Sequence, residues 1–480
     1  MIEMTLAEIA TAVGGTLHGD AVVTGPAFVD TRTPHVGGLF VAVAGERVDG
    51  HDFAGTALAA GAAAVLGTRP TEAPTVVVDD TVRALGRLSR HVLDRLDTTT
   101  VHALTGSQGK TGVKDYLAAV LAQDGPTIAT EGNFNNEIGV PLTVLRATPG
   151  TGHLVVEMGA RGIGHIAYLC ELAPPDVAAV LNVGTAHIGE FGSQEAIARG
   201  KGEIVEALRP EGTAVLNADD PLVAAMAGRT RARVLRFGRG GEVSAEDVTH
   251  DELGRPTFRL VHGGRSAEVR LRQLGSHQVA NALAAAGMAL AVGLPLDDVA
   301  RALGDAVPAS RWRMELREQG DGLVVVNDAY NANPESVEAA LDTLNVISRR
   351  SGRRTVAVLG EMLELGEGSV AGHRRVGHFA AASRLDVLVT VGDAAADIAD
   401  AARGHRTWRG EAVPTASRAE ALEWLRHNVS AGDVVLVKAS RGAALETVAE
   451  GLLAESVPDR LRPQPAHQPP HPRHEGTSTR

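Results

Sequence analysis

The chain has 480 residues, a formal net charge of −12, and 44% hydrophobic and 22% charged residues. One hydrophobic core does not organise so long a chain, so roughly two to four domains of ordinary globular composition are expected. The negative charge argues against sequence-independent binding of nucleic acids, although a local basic or metal site still allows an anionic substrate. The single cysteine, Cys170, excludes an internal disulfide. The residues after Met1 do not predict a signal peptide, and no apolar stretch has the length of a membrane span, so we expect a cytoplasmic protein.

Residues 1 to 97 are predicted to form a small α/β domain. Two β-rich runs, Leu39–Val43 and Thr75–Val78, flank an alanine-rich helix predicted from Phe53 to Ala64. Two polar clusters lie among these elements, namely Asp30, Thr31 and Arg32, and the segment from Asp49 to Asp52 that contains His51. By themselves, both clusters are typical of turns at strand ends.

The stretch from Val101 to Lys114 predicts a phosphate-binding loop. A β-run leads into a turn that contains Gly106 and Gly109, and apolar residues at helical spacing follow. Such a turn lets the backbone approach a phosphate closely, and the start of the helix presents free N–H groups and a positive dipole end. Lys110 would then reach the β- and γ-phosphates, and the Thr111 hydroxyl would bind Mg²⁺.

This loop departs from the pattern G-x-x-x-x-G-K-[ST], because Leu104 stands at the first glycine position and a glycine follows two residues later. The alternative is an ordinary glycine turn between a strand and a helix, with an exposed lysine. The strand, the turn, the Lys-Thr pair and the helix stand in register, which favours the phosphate-binding interpretation.

Residues 98 to 311 repeat a strand–helix pattern that predicts a central domain with a parallel sheet covered by helices. Two apolar runs after the phosphate loop lead to Glu157 and His187. Because ligands collect at the carboxyl ends of parallel strands, we expect both side chains beside the loop, where they would suit Mg²⁺. The alternatives are a helix-capping carboxylate and a surface histidine.

Two further polar residues lie in predicted helices of the central domain. Lys201 lies in a helix that runs to Leu208, where the ordinary interpretation is a solvated side chain. Asn281 falls one turn after His277, so both side chains can face one ligand.

Residues 312 to 457 form a third predicted unit with its own strand–helix rhythm. Its strands, each followed by a polar or glycine-containing turn, are expected at Leu323–Val326, Thr355–Leu359, Val387–Val391 and Val434–Val437. The arrangement is Rossmann-like, but no G-x-G-x-x-G sequence follows any of these strands, so NAD is not predicted. Residues 458 to 480 are rich in proline, histidine and arginine without apolar periodicity, and we expect disorder there.

Four segments carry a resemblance to a known family. They are Thr105–Thr111, Glu131–Pro141 (E-G-N-F-N-N-E-I-G-V-P), Asn327–Pro334 (N-D-A-Y-N-A-N-P) and Leu359–Gly366 (L-G-E-M-L-E-L-G). Together they resemble the Mur ligases, the ATP-dependent amide ligases of peptidoglycan precursor synthesis, and the resemblance runs from about residue 2 to 452. The second and third segments are more specific than the phosphate loop and separate one member of the family from its relatives.

The resemblance implies a role for each domain. The first domain would bind the uridine nucleotide of the substrate through Asp30, Thr31, Arg32 and His51. In the central and third domains, the residues implied to bind ATP are Gly106, Ser107, Gln108, Gly109, Lys110, Thr111, Asn281, Arg313 and Asp328. The implied Mg²⁺ ligands are Thr111, Glu157, His187 and Lys201, the last through a carbamate that relatives form at this lysine. The implied catalytic residues are Lys110, Lys201 and His187. Further substrate contacts are expected at Asn135, Asn136, Glu137, Lys438, Ser440 and Arg441.

The implied reaction has two steps and uses ATP and Mg²⁺. ATP phosphorylates the terminal carboxylate of UDP-N-acetylmuramoyl-tripeptide, and the amine of D-alanyl-D-alanine then displaces phosphate from the acyl phosphate. The expected partners are these small molecules, with neither nucleic acid nor membrane insertion, and the chain is expected to act as a monomer.

Two alternatives stay open on the sequence alone. One is an amide ligase of the same architecture that adds a diamino acid to a nucleotide substrate or glutamate to folate, against which the N-F-N-N-E segment argues. The other is a nucleotide-dependent switch that hydrolyses ATP without a peptide acceptor, which would leave the first domain without a role.

Overall fold

The computed structural model describes residues 1–45, 48–185, 188–307 and 309–454. The described residues fold as three α/β domains, each built around one main sheet. His187 and the tail that was predicted to be disordered lie outside the described residues. No helix of the described part of the chain combines the length and apolar character needed to cross a bilayer.

The N-terminal domain is built on a five-stranded sheet in the order β2-β7-β6-β5-β4. Its elements, in chain order, are β1 Met4–Thr5, α1 Leu6–Val13, β2 Thr16–His18, β3 Val22–Val23, β4 Ala27–Phe28, β5 Leu39–Val41, α2 Ala54–Ala59, β6 Ala64–Gly67, β7 Thr75–Val77 and α3 Thr81–Leu93. The helix predicted from Phe53 to Ala64 is wrong in its bounds, because Gly61 adopts a left-handed φ of 98° and residue 64 already begins β6.

The central domain contains a nine-stranded sheet in the order β16-β15-β14-β13-β12-β11-β8-β10-β9. Its elements are β8 Thr100–Thr105, α4 Lys110–Leu121, β9 Thr127–Ala129, α5 Gly139–Val144, β10 His153–Glu157, α6 His165–Leu172, β11 Val177–Val180, α7 Ile188–Phe191, α8 Gln194–Glu206, β12 Thr213–Asn217, α9 Pro221–Ala224, β13 Arg233–Phe237, β14 Val243–His250, β15 Pro256–His262, β16 Arg265–Arg270, α10 His277–Ala291 and α11 Leu296–Asp305.

The strands of this sheet are parallel from β9 to β14, as predicted, but β14, β15 and β16 pair antiparallel, which the strand–helix prediction missed. The two-residue turn Gly263–Gly264, with φ of 58° and 74°, joins β15 to β16. Such a glycine pair between β-runs is a hairpin signal.

The position of β8 places the phosphate loop near the middle of the parallel part of the sheet. Apolar side chains alternate along β8, so that Leu104 packs into one core with α4, α10 and α11, and Ala103 into the other with α6 and α8. Both faces of the strand are therefore buried, which leaves its carboxyl end as the exposed edge for a ligand.

The C-terminal domain has a six-stranded sheet in the order β17-β18-β22-β19-β20-β21. Its elements are β17 Glu315–Glu318, β18 Val324–Asp328, α12 Pro334–Ser351, β19 Thr355–Leu359, α13 Ser369–Ala382, β20 Val387–Val391, α14 Ala396–Arg403, β21 Glu411–Thr415, α15 Arg418–Asn428, β22 Val434–Lys438 and α16 Glu446–Leu453. The four predicted strands are present. The two edge strands, β17 and β21, were missed because their sequences carry charged residues and a proline.

Candidate active site

The phosphate loop has the backbone geometry that its glycines allow. Gly109 is the N-cap of α4 and has a left-handed φ of 79°, and a Cβ atom there would lie 2.5 Å from Oδ1 of Asn281. Asn182, which follows β11, fixes the loop from the neighbouring strand. The backbone N–H of Gln108 donates to its Oδ1 at 2.9 Å, and its Nδ2 donates to the Gln108 carbonyl at 3.2 Å. Sequence reasoning missed Asn182, although it lies only two residues after the buried strand β11.

Glu157 is the point at which two of the predicted motifs meet. This residue ends β10 and is only 1% exposed. The Thr111 hydroxyl donates to its Oε2 at 3.1 Å, and Nδ2 of Asn135 donates to its Oε1 at 2.8 Å. The phosphate loop and the N-F-N-N-E segment therefore contact the same carboxylate.

The chemistry at Glu157 fits a divalent cation. Among the described residues, no salt bridge joins this buried carboxylate to a cation, whereas buried charges in proteins are generally paired or bind a metal. Hydroxyl and carboxylate oxygens are the ligands that Mg²⁺ prefers. The described part of the chain contains no group of three or more His, Cys, Asp or Glu side chains that could hold a metal by themselves. A cation here would need further oxygen ligands from substrate or from a modified side chain.

Lys110 and Lys201 lie close enough for their charges to interact. Nζ of Lys110 donates to the Gly106 carbonyl at 2.7 Å. Burial lowers the pKa of Lys110, and the nearby Glu157 carboxylate partly opposes that shift. Lys201 is 3% exposed, and burial, together with repulsion from Lys110, lowers the pKa of its amine well below the usual value. The interpretation of Lys201 as a solvated surface lysine is therefore wrong.

The residues expected around the nucleotide lie on two domains. Asn281 lies on α10 beside Gly109, and its Nδ2 donates to Gln278 at 3.0 Å. Arg313, in the segment before β17, stacks its guanidinium over Tyr330 at 4.2 Å from the ring centroid. Its Nη2 donates to the Thr111 hydroxyl at 3.4 Å, so the C-terminal domain contacts the phosphate loop directly.

The C-terminal polar residues mostly bind one another. Lys438 is 2% exposed, and its Nζ lies 2.6 Å from Oδ2 of Asp328. The Ser440 hydroxyl donates to the Ala332 carbonyl at 3.2 Å and accepts from the Leu363 N–H at 2.9 Å. Ser440 therefore ties the N-D-A-Y-N-A-N-P segment to the L-G-E-M-L-E-L-G segment.

Arg441 is the more accessible of the expected dipeptide contacts. Its guanidinium lies 4.4 Å from the Trp312 ring centroid and pairs with Glu446 at 2.5 Å. Its side chain is 50% exposed. Contact of Lys438, Ser440 and Arg441 with a substrate stays a prediction.

The predicted uridine-binding residues are spread over two loops of the N-terminal domain. Arg32 pairs with Asp30 at 2.6 Å on the surface, and Thr31 lies between them. His51 is buried. Its Nδ1 contacts Asp49 at 2.6 Å, and its Nε2 accepts from the Thr68 N–H at 2.8 Å. The described contacts of His51 thus stabilise the loop, as turn chemistry predicts.

The other members of the N-F-N-N-E segment have different surroundings. Oδ1 of Asn136 accepts from the N–H of Gly139, the first residue of α5, at 2.9 Å. Glu137 is exposed. Of the three predicted substrate contacts in this segment, only Asn135 lies at the phosphate loop.

The fold and the site define a class of protein with three α/β domains, in which the second and third domains meet at a phosphate-binding loop. Family models for the Mur ligases match in chain order: the Mur ligase family catalytic domain over residues 29–92, the Mur ligase middle domain over 104–289, and the Mur ligase glutamate ligase domain over 312–441. The chain belongs to the Mur ligase family.

Particular relatives cover nearly the whole chain. The UDP-N-acetylmuramoyl-tripeptide–D-alanyl-D-alanine ligase of Mycobacterium bovis is 46% identical over 513 residues, which cover 96% of this chain and 100% of that protein. The crystal structure of MurF from Acinetobacter baumannii is 32% identical with a TM-score of 0.84, covering 94% of this chain and 99% of that one. The MurF ligase of Thermotoga maritima, solved in complex with ADP, is 32% identical with a TM-score of 0.77, covering 90% and 97%.

Proposed function

We propose that this chain is the ATP-dependent ligase that joins D-alanyl-D-alanine to UDP-N-acetylmuramoyl-tripeptide in peptidoglycan precursor synthesis. The observation that carries the proposal is that Thr111 and Asn135 both donate hydrogen bonds to the Glu157 carboxylate. It joins the phosphate loop to the segment that separates this member of the family from its relatives. The Mycobacterium bovis relative that is named for this activity matches the chain over 96% of its length, which supports the same assignment.

The reaction begins from a carboxylate, which is a poor electrophile. Transfer of the γ-phosphoryl group of ATP to a carboxylate oxygen gives ADP and an acyl phosphate. The amine of D-alanyl-D-alanine then attacks the carbonyl carbon, loses a proton and expels phosphate, which leaves an amide. The amides of the loop from Gly106 to Gly109 and the ammonium of Lys110 would bind the phosphates. Arg313 would add positive charge from the third domain, so that catalysis rests on positioning and electrostatic stabilisation.

The metal set that we propose consists of Thr111, Glu157, His187 and a carbamate on Lys201. When bound, Mg²⁺ would neutralise negative charge where the triphosphate and the carboxylate substrate meet. The contribution of His187 rests on the resemblance of the sequence to the family. The contributions of Thr111 and Glu157 are supported by the hydrogen bond between them.

Carbamylation of Lys201 is supported by its environment. Only a neutral amine reacts with CO₂, and burial lowers the pKa of this amine well below its usual value. Among the described residues, no hydrogen bond holds the amine. The product carbamate would place a carboxylate beside Lys110, which would replace a repulsion between two amines with an attraction.

We expect ¹³C-labelled bicarbonate to give a carbamate NMR signal that is lost in Lys201→Ala. The chain contains only four lysines, at positions 110, 114, 201 and 438, so the assignment is direct. Lys201→Ala should also lower kcat about 100-fold, because one oxygen ligand of the metal is lost. An unchanged NMR signal together with an unchanged kcat would contradict the carbamate.

The remaining assignments follow from the same proposal. We propose domain boundaries at 97/98 and 311/312, supported by the three family models, which fall on either side of them. Asp30, Thr31, Arg32 and His51 would then contact the uridine nucleotide. We further propose that the chain acts in the cytoplasm, where its nucleotide substrates would be supplied, and acts as a monomer.

A panel of amines tests the identity of the acceptor. With ATP, Mg²⁺ and UDP-N-acetylmuramoyl-tripeptide held constant, amide product should form with D-alanyl-D-alanine and not with a diamino acid or glutamate. Product with another amine alone would keep the architecture and overturn the assigned substrate. A parallel assay with folate and glutamate tests the other amide-ligase alternative in the same way.

A further inference from the structure

The segment that joins the central and C-terminal domains is fixed to the phosphate-loop helix by a cluster of three polar side chains. We call Lys114, Asp115 and Ser310 the latch, and residues 309–314 the linker. The Ser310 N–H donates to Oδ2 of Asp115 at 3.1 Å, and the Ser310 hydroxyl donates to Oδ1 at 3.2 Å. Nζ of Lys114 lies 2.8 Å from Oδ1 of Asp115 and donates to the Ser310 hydroxyl at 3.3 Å.

The ion pair of the latch is buried, Ser310 is half-buried, and the latch also reaches the neighbouring strand. The side chains of Lys114 and Asp115 are 5% and 8% exposed. Nζ of Lys114 also donates to the Thr130 carbonyl at 2.9 Å, just after β9. Burial of an ion pair is a weak source of stability, because the charges lose their hydration. A role in fixing one arrangement of the chain accounts better for its presence.

The latch lies one helical turn from the catalytic end of α4. Asp115 follows Thr111 by four residues, so the two side chains lie on the same face of the helix. Thr111 accepts a hydrogen bond from Arg313, which is only three residues beyond Ser310. A short path through the linker therefore connects the latch to the site where the two domains meet.

Backbone strain is concentrated in the part of the linker that follows the latch. Trp312 and Met314 have positive φ of 57° and 50°, a left-handed conformation that is unfavourable for residues with a side chain. Contacts on the C-terminal domain hold both residues. The Met314 N–H donates to Oδ1 of Asp328 at 3.1 Å, and the Trp312 carbonyl accepts from the Tyr330 N–H at 3.3 Å. Arg313 lies between these two strained residues.

The lysine content of the chain singles out Lys114. Only four of the 46 lysines and arginines are lysines, and all four are found at the catalytic site or in contact with its elements. Lys110, Lys201 and Lys438 already have assigned or predicted roles. Lys114 is the one without a role. Its ammonium contacts Asp115 and Ser310 inside the latch and the Thr130 carbonyl outside it.

We propose that Lys114, Asp115 and Ser310 are positioning residues for the ligase reaction. The latch fixes the start of the linker to α4, so that domain closure is confined to residues 311–314 and brings Arg313 onto Thr111. This inference rests on the proposed function, because it assigns a role in closing the site over an acyl phosphate. Exclusion of water from that intermediate requires accurate closure.

The test is the ratio of phosphate released to amide formed, measured for Asp115→Asn and Ser310→Ala with both substrates. We expect kcat to fall at least about tenfold, with KM for ATP nearly unchanged, because Lys110 and its loop are intact. The ratio should rise above that of the wild type, because water would compete for the acyl phosphate. Ser310→Thr keeps the hydroxyl and should restore the wild-type ratio.

Asp433→Asn is the matched control. Like Asp115, Asp433 is a buried aspartate that pairs with a basic side chain and accepts a backbone N–H. Its partner is Arg354 at 3.2 Å. Asp433 precedes β22 and so lies at the opposite end of the strands from the phosphate loop. This variant should lose stability and keep the wild-type ratio.

The proposed positioning role of the latch is contradicted if Asp115→Asn and Ser310→Ala keep the wild-type ratio and kcat, or if Asp433→Asn raises the ratio equally. A wild-type chain that forms no amide would instead contradict the proposed function. If Asp115→Asn does not fold, the decision rests on Ser310→Ala, which removes one hydroxyl only.

Discussion

Lys110→Ala should lower kcat for ATP-dependent amide formation by about 1,000-fold or more, the range known for charged groups that stabilise phosphoryl transfer. Lys110 begins α4. The positive end of the helix dipole and the guanidinium of Arg313 therefore act on the same phosphates as the Lys110 ammonium. Its ammonium would stabilise the negative charge that develops on the leaving β-phosphate. The fold should be retained, because Nζ makes a single described hydrogen bond, to Gly106, which is worth about 1 kcal/mol.

Steady-state phosphate release and thermal unfolding, measured on the same preparation, separate these two effects. Arg265→Ala is a control, since this exposed arginine pairs with Asp297 far from the loop, and its kcat should stay unchanged. A Lys110→Ala variant with near-normal kcat would show that the glycine turn does not bind the reacting phosphates.

Glu157→Gln should lower kcat about 100-fold or more and raise the Mg²⁺ concentration required for half-maximal activity. The substitution keeps the size of the side chain and removes the buried negative charge that accepts hydrogen bonds from Thr111 and Asn135. The amide NH₂ would also face a donor, from either Thr111 or Asn135, which destabilises one of the two hydrogen bonds. Titration of Mg²⁺ at saturating substrates measures the change.

Glu206→Gln provides the control for the loss of a carboxylate. Glu206 lies half-exposed on α8 and pairs with Arg229 at 2.9 Å, so its removal should leave the Mg²⁺ dependence as it is. If Glu157→Gln has the wild-type Mg²⁺ dependence and kcat, then Glu157 acts only in holding Asn135 and the metal set is wrong.

The parallel core of the fold is predictable because its signals are local. The middle of β10 and the first four residues of β22 are continuous apolar runs, and both strands end where a polar or glycine-containing turn begins. The antiparallel strands β14 to β16 have few buried positions and many exposed or half-buried ones, so their apolar signal is weak and the strand–helix pattern did not predict them. The helix predicted to run to Ala64 ended early because a glycine with positive φ followed it.

The candidate site was predictable where a residue directly follows a strand. Glu157 and Thr111 came together because the parallel order of β8 and β10 fixes their ends at one edge. The burial of Lys201 was not predictable from charge or spacing, although the glycines on either side of it permit close helix packing. A Cβ at Gly200 would meet Phe191 at 2.8 Å, and one at Gly202 would overlap Arg229.

Contacts between distant segments formed the least predictable part. The latch joins Asp115 to Ser310 across 195 positions of sequence, and no periodicity within either segment points to the other. Asn182 likewise holds the phosphate loop from 74 positions away. Such pairs follow from the packing of elements and not from the propensity of either segment.

The proposed ligase reaction is tested by measuring phosphate release from ATP and Mg²⁺ with UDP-N-acetylmuramoyl-tripeptide alone, with D-alanyl-D-alanine alone and with both. We expect sustained release only when both are present, together with a UDP-linked pentapeptide detected by mass. Sustained release without either peptide substrate, and no pentapeptide with both, would contradict the ligase and favour a nucleotide-dependent switch.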